Sequence, residues 1–427
     1  MARAVTTFRE LFALAWPIAA AMLGDVGMGL VDTKLVGGLG AAALGGVGIA
    51  TVLMYLSYSI VFGLMRGVKV RTAYALGHGR PGDAVRYAEA GLAVGAIVGL
   101  VVFALCRDVT PALRLMRVDP ETMPYAREFL AARTMGAVSA CGLSALVQYR
   151  QGLGDARSPM VIGIAGNVVN AVLAWALIHG RLGLPALGVR GAGYATAFSE
   201  TLEFVALAAL LARDVARANR AAASPRLPLR RALAEVVDLG LPMGLHFGLE
   251  TLGFTTFNAV IASLGAAEMA ASHVAMNTLR ASFLPGIAVG EAASVLVARA
   301  LARRRIAEAD RVTRLALLMS MTFMGCWGVV FALSGGALAA QFSTDPVVVH
   351  VARRLFLVAA VFQVLDAANM VLRCALRGAK DVRWVAMVGT TIVWCTIPTS
   401  AFGLGEVLHL GALGGWIGFV GETTFGA

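Results

Sequence analysis

The sequence predicts an all-α, polytopic membrane protein with about twelve transmembrane helices in two parallel six-helix repeats. Three observations carry this. The 427 residues are 59% hydrophobic and only 14% charged, with mean hydropathy +0.77, whereas a soluble domain carries about 25% charged residues. Apolar segments of roughly 20 residues, long enough to cross a hydrocarbon core of about 30 Å, recur between short charged loops along the whole chain. The two halves also run in register at an offset of 225 residues, pairing Pro17 with Pro242, Leu39-Gly40-Ala41-Ala42 with Leu264-Gly265-Ala266-Ala267, Ala75-Leu76 with Ala300-Leu301, and Asp25 with Glu250. The 49 glycines suit helices that approach closely in lipid, where an open sheet edge is not viable.

The first helix is expected over 8–34, where the start MARAVTTFRELFALAWPIAAAML runs on through GMGLVD. A signal peptide begins similarly, but the repeat needs this segment, so it is read as a helix and not as a cleaved leader. Apolar runs bounded by charged loops place the next five helices at 42–68, 84–106, 121–147, 158–180 and 190–212. The second half follows at 233–262, 267–298, 311–333, 347–375 and 382–404. The last segment, GALGGWIGFVGETTFGA, begins like the sixth helix (GAGYATAFSETLEF) but stops after about fifteen residues, short of the bilayer thickness, so the twelfth helix reads as truncated. The expected domains are a first lobe over 1–212, a basic cytoplasmic linker over 213–232 and a second lobe over 233–427. Six crossings per half bring both lobes in from the same side, a parallel repeat with a binding cavity expected between the lobes. The loops QGLGDAR (Gln151 to Arg157) and LRGAKDVR (Leu376 to Arg383) recur at equivalent places and support the duplication. Pro17 and Pro242 are placed near helix starts, where proline is tolerated. Pro285 falls inside the eighth helix, where it kinks the helix as a packing accommodation or a hinge.

The net charge of +11 is explained by its placement. With the N-terminus cytoplasmic, Arg3, Arg9, Lys69, Arg71, Arg80, Arg86, Arg150 and Arg157 face inside, followed by the arginine-rich segment Ala212 to Arg231, then Arg299 to Arg311, and Arg377, Lys380 and Arg383. The alternate loops are poorer in base, apart from Arg107, Arg114 and Arg117, so the positive-inside rule accounts for the charge and nucleic acid is not a partner. Cys106, Cys141, Cys326, Cys374 and Cys395 have neither metal-ligand nor paired spacing and read as small core residues. No G-x-x-x-x-G-K-[ST] loop is present, which argues against ATP driving by this chain.

Asp25 and Asp32 lie nearly two turns apart on the first helix, so one stripe of that helix is acidic. Glu250 and Asp366 add an acid pair to the second lobe, each within apolar sequence (FGLETLGF and FQVLDAAN). At about 2.5 to 3.5 kcal/mol per mid-membrane charge, four ionised carboxylates would cost about 10 to 14, comparable to a protein's net stability. They are therefore hydrated, paired, protonated or ion-bound. The bland alternative is that they pair with intramembrane arginines or lie near the interface; for Asp25, Gly24 and Gly27 leave room for water. A desolvated carboxyl suits a proton carrier and paired carboxylates suit sodium, so the acids alone do not choose the ion. Met22, Met28, Met243, Met269 and Met276 read as packing residues or as an adaptable binding surface.

MGLVDTKLVGGLG in the first helix, LGLPMGLHFGLETLGF in the seventh, LGAAEMAASHVAMN in the eighth and FQVLDAANMVLRCALRGAKD in the tenth resemble the multidrug and toxic compound extrusion (MATE) family, nearest its NorM-like branch. The resemblance covers essentially the whole chain, including NVVNAVLAWALIHGRLGLPALGVRGAGYATA. It implies a cation site on Glu250 and Asp366, a coupling acid at Asp32, a cavity asparagine at Asn170, and a substrate cavity lined by Asn170, His273, Asn277, Phe254 and Phe362. Departures limit the transfer. Ala174 stands where relatives often have Asp or Asn, Phe362 where some have tyrosine, and His273 follows Ser272 where relatives commonly read His-Gln. Asp25 and Glu291 make the cavity more acidic than usual, with Arg280 a candidate to neutralise Glu291 and His246 placed one turn before Glu250.

The expected function is a secondary active multidrug exporter that exchanges small organic cations for Na+ or H+ by alternating access, with Glu250, Asp366, Asp32 and Asp25 as cation-binding residues. Glu250 and Asp366 would be the metal ligands if sodium is the ion; no cofactor is implied. The expected setting is a bacterial-type inner membrane, multi-pass in the lipid bilayer, with the protein acting as a monomer. Three rivals stand beside it: a lipid-linked saccharide flippase, which should carry more cavity arginine, an intramembrane enzyme using His246, Glu250 and His273, for which no nucleophile or metal motif is found, and a passive cation channel.

Overall fold

A computed structural model of the chain describes residues 2–116, 118–220 and 226–426, with the side chains of 2–4 and 107 left aside. Arg117, the side chains of Arg3 and Arg107, and 221–225 of the basic linker therefore lie outside the described residues. Every regular element described is helical. In the first half these are α1 (Ala2–Gly37), α2 (Ala41–Gly77), α3 (Pro81–Leu105), α4 (Thr110–Leu115), α5 (Met123–Arg133), α6 (Ala137–Gly152), α7 (Arg157–His179) and α8 (Val189–Arg220). In the second they are α9 (Leu229–Ser263), α10 (Ala266–Ala302), α11 (Ile306–Ala340), α12 (Pro346–Gly378), α13 (Val382–Ser400) and α14 (Ala412–Gly426).

Eleven spans among the described residues are long and apolar enough to cross a membrane. One of them, Met123–Gly152, combines α5 and α6 through the single 3-10 turn Thr134–Gly136. The 15 residues of α14 reach about 22 Å, less than the hydrocarbon thickness. Several helices outrun the apolar segments that located them: α2 continues to Gly77 and α8 to Arg220. Hydropathy marks only the lipid-immersed length, while alanine and arginine beyond it are good helix formers in water. For the same reason Pro17 and Pro242 are interior residues of α1 and α9, not residues near their starts. Membrane helices tolerate this because neighbours satisfy the backbone groups that proline frees. Pro285 does lie inside α10, and α13 passes after Pro398 into a π-helical turn, Ala401–Val407.

The repeat is visible at single residues. Gly40 and Gly265 cap α2 and α10 with φ of 105° and 127°, a conformation open to glycine and strained for other residues, which explains the recurring Leu-Gly-Ala-Ala. In the recurring loops Gly154 and Lys380 both have positive φ, 77° and 69°.

Contacts divide the chain into one unit of Ala20–Gly244 and another of Met1–Ala19 with Leu245–Ala427. The sequence-drawn lobes cut between helices, whereas these units part inside α1 and α9, just after Pro17 and Pro242. In the first unit the start of α9 packs on α2 glycine against glycine. A Cβ on Gly63 would come within 2.5 Å of the Met243 carbonyl oxygen, and one on Gly244 within 2.5 Å of the Ile60 carbonyl oxygen. Just over two turns away, Glu235 of α9 meets Arg71 at 3.1 Å and accepts a 2.5 Å hydrogen bond from Tyr87. The core of this unit centres on Met65, Leu130, Leu146 and Tyr149; that of the other centres on Phe257, Phe331, Phe356 and Trp416.

Candidate functional site

In the first unit α1 presents two carboxylates to α7. Asn170 Nδ2 donates to Asp32 at 3.3 and 3.4 Å, and Asn167 Nδ2 donates to Asp25 at 3.3 Å. The acid stripe inferred from the spacing of Asp25 and Asp32 thus meets two asparagines one turn apart on α7. Asn170 is 3% exposed and its Oδ1 has no partner. Ala174, one turn further along α7, is fully buried and brings no second acid to this level. Asp32 is half-buried and Asp25 exposed.

Behind them lies a group that the sequence reading missed. Arg133, at the end of α5 where the helix passes into its 3-10 turn, donates to Glu200 of α8 at 2.5 Å. Its guanidinium carbon lies 5.7 Å from the Tyr58 ring centre, a cation–π arrangement. Glu203, one turn along α8, fills the space left by the missing side chain of Gly166.

The second unit is organised around another arginine. From α12, Arg373 Nη2 donates to Glu422 Oε1 of α14, and Nη1 lies 3.6 Å from Glu250 Oε1 of α9. The same Glu422 oxygen accepts from Asn369 Nδ2 at 3.3 Å. Asp366, Asn369 and Arg373 are spaced by three and four residues, so they share one face of α12. Asp366 is 6% exposed and its Oδ2 has no partner. His246 is buried, with Nδ1 at 3.0 Å from Thr390 Oγ1 and Nε2 at 4.0 Å from Glu250 Oε2. Gly389 leaves room for its ring.

Phe254 and Phe362 come together through Phe419, with ring centres at 5.6 and 5.9 Å, and Trp416 adds an edge-on contact to the same ring at 5.6 Å. His273 and Asn277 do not join this group. They are exposed on one face of α10. Arg280 shares that exposed face, while Glu291, eleven residues on and about 16 Å along the helix, is buried, so the two do not form the anticipated pair. Among the described residues no three of His, Cys, Asp and Glu are grouped to hold a metal ion.

Arg373, Glu422, Arg133, Glu200 and Glu203 carried a readable signal, charge inside apolar segments (NMVLRCALRG, GFVGETTF, FLAARTMGAV, AFSETLEF). Asn167 and Asn369 carried none, because an asparagine in a membrane helix does not announce which helix faces it.

The MatE family model matches the chain twice, over residues 17–176 and 242–402, so the two matches begin at Pro17 and Pro242. A probable multidrug resistance protein NorM of Burkholderia mallei is 30% identical over 412 residues, covering 95% of this chain and 87% of the relative. The multidrug resistance protein NorM of Burkholderia vietnamiensis is 29% identical, with 95% and 88% covered. The outward-facing structure of a multidrug resistance MATE family transporter of the MOP superfamily superposes with a TM-score of 0.87 at 20% identity, covering 98% of this chain and 93% of that one. The eukaryotic MATE transporter AtDTX14 gives 0.87 at 19% identity, with 99% and 94% covered. With the family match repeated over both halves and the fold shared throughout, the chain belongs to the MatE family.

Proposed function

We infer that this chain exports cationic amphipathic compounds in exchange for sodium ions or protons, by alternating access in a bacterial-type inner membrane. The coarser statement rests on its family. MATE proteins and their NorM-named relatives are transporters and not enzymes, and the chain is a multi-pass multidrug efflux transporter.

The observation that carries the finer reading is the burial of Asp366 beside Glu250 and Glu422, in helices otherwise built for lipid. Fixed carboxylates at membrane depth are costly and persist where a mobile cation visits them. In the first unit Asp32 with Asn170 offers a second such place. Loading of cations from outside would reduce the negative charge that holds an organic cation and favour its release, and unloading to the cytoplasm would restore it. One charge moving through about 100 mV is worth roughly 2.3 kcal/mol, which sustains a solute gradient of about fiftyfold at one-to-one coupling.

The test is flux of a fluorescent organic cation in proteoliposomes under an imposed sodium gradient or an imposed pH gradient, for wild type and Glu250→Gln. Gradient-driven flux lost in the variant supports coupling in the second unit. Flux unaffected by Glu250→Gln transfers coupling to Asp32 and Asp25, and absence of flux under either gradient overturns the antiport reading.

A further inference from the structure

We propose that Arg373 is a resident cation of the second unit that holds Glu250 and Glu422 against sodium. This deepens the antiport reading and rests on it.

The argument starts from which carboxylate oxygens are engaged. Arg373 faces acids from two other helices, Glu250 of α9 and Glu422 of α14, and shares its own helix face with Asp366. One guanidinium serves two of them, bonding Glu422 Oε1 and standing 3.6 Å from Glu250 Oε1. Asn369 adds a second donor to the same Glu422 oxygen. Arginine is permanently charged and its planar fork fixes two acceptors at once, so it acts as a resident cation that cannot diffuse away. A sodium ion seeking Glu250 and Glu422 would have to displace it or sit beside a like charge.

Asp366 is the acid this arrangement leaves over. Its Oδ2 is buried without a partner on the helix face that also carries Asn369 and Arg373. Hard monovalent and divalent ions need several converging oxygens. On this face Asn369 Oδ1 is the other buried oxygen without a partner, and among the described residues no three of His, Cys, Asp and Glu are grouped to hold a metal ion.

The groups that bear on Asp366 are Glu422 from α14, Glu250 from α9 and Arg373 from its own helix. His246 of α9 stands beyond Glu250. From α10, Glu291 lies at the level of Cys374, against which its neighbour Gly290 packs. Helix α11 has no acid or base after Arg314, and α13 none after Arg383. The positive charge in the cluster is therefore concentrated in Arg373, and its removal changes the ion preference of the unit as well as its packing.

The experiment measures equilibrium binding of radiolabelled sodium to the purified full chain, alongside organic-cation flux in proteoliposomes under separate sodium and pH gradients. The proteins are wild type, Arg373→Lys, Arg373→Gln, Asp366→Asn, and the double variant Arg373→Gln with Glu422→Gln. The double variant removes both members of the buried pair, which is better tolerated than removing one. Wild type and Arg373→Lys should bind no sodium saturably, and their flux should be indifferent to the sodium gradient. Arg373→Gln should bind sodium saturably, at least about tenfold more tightly than the weakest binding the assay detects, equivalent to about 1.4 kcal/mol. Should that variant not fold, the double variant should show the same direction of change. Saturable sodium binding by wild type that Asp366→Asn abolishes, or sodium binding indifferent to Arg373, overturns the proposal. Flux under neither gradient, with sodium binding still dependent on Arg373, would sink the antiport reading and leave the role of Arg373 standing.

Discussion

Arg133 donates a 2.5 Å hydrogen bond to Glu200, joining α5 to α8 inside the first unit. The second unit repeats the device, with Arg373 of α12 bonded to Glu422 of α14. Each unit also has an acid on the first helix of its repeat, Asp25 or Glu250, at equivalent positions. The duplication thus preserved a charge economy, one internal arginine set among several acids, although the arginines themselves do not align.

The Arg133–Glu200 pair has a measurable stability consequence. Both side chains are largely buried, 11% and 23% exposed, so Glu200→Gln leaves a guanidinium short of its counter-charge. A loss of about 3 kcal/mol is expected, at the lower end for a broken buried pair. Arg133→Met with Glu200→Met should recover most of that loss, because no unpaired charge remains. Thermal unfolding in detergent of wild type, Arg133→Met, Glu200→Met and the double variant checks the cycle; additive single-variant losses would mean that the pair is not coupled.

The close approach of α9 to α2 makes a second prediction. Gly63→Ala places a methyl group 2.5 Å from the Met243 carbonyl oxygen, and backbone cannot move aside as a flexible side chain can. Destabilisation of about 1 to 3 kcal/mol is expected, typical of overpacking. Gly48→Ala on the same helix meets nothing within 4 Å and should be neutral or slightly stabilising through helix propensity. Unfolding midpoints of the two variants separate packing from propensity.

These sites show where sequence reading succeeds and where it stops. Helix number and the repeat were legible because lipid demands long apolar runs and duplication leaves matched punctuation such as Gly40 and Gly265. Helix ends were not, since polar residues such as Arg71 and Arg217 continue helices into water. Asp32 and Glu250 were legible because a lone charge in apolar sequence is conspicuous. Their partners Asn170 and Arg373 are set by which helix faces which, and spacing along one chain segment does not encode that. His273 and Asn277 share a helix with Glu291, yet lie on a different face from the buried residues of α10.

The loop between α6 and α7 provides a pH prediction outside the membrane spans. Burial works against the charge on Asp155, but hydrogen bonds from Ser158 and the nearby Arg150 outweigh it and hold the carboxyl below its ordinary value of 3.8. The Ser158 backbone N–H donates to Asp155 Oδ1 at 3.0 Å, a cap at the start of α7. A carboxyl depressed in the folded state stabilises at pH above 3.8, and that contribution is lost as pH falls through the folded value. Asp155→Ala should therefore cost about 0.5 to 2 kcal/mol at neutral pH, with the gap to wild type closing in strong acid. Chemical unfolding at pH 7 and below pH 3.8 checks this, and a gap that widened in acid would contradict the assignment.

Asn170 and Asn167 allow the two acids of α1 to be told apart. Asn170 is buried and gives both of its distances, 3.3 and 3.4 Å, to the carboxylate of Asp32. Asn167 meets a single oxygen of Asp25, and Asp25 is exposed, so water can replace the amide. A hydrogen bond to a charged group contributes about 1.5 to 3 kcal/mol where water cannot substitute. Asn170→Ala should therefore lower gradient-driven export at least about tenfold, taking the lower end of that range. Asn167→Ala should change it by less than about threefold by the same arithmetic. Asn170→Asp adds a second carboxylate against Asp32 and should move the pH dependence of export, because two adjacent acids share their protons. Export rates across pH for the three variants, at matched amounts of reconstituted protein, decide the matter: equal losses in Asn170→Ala and Asn167→Ala would place Asp25 and Asp32 in one shared role, and a pH profile unmoved by Asn170→Asp would remove Asp32 from the coupling step.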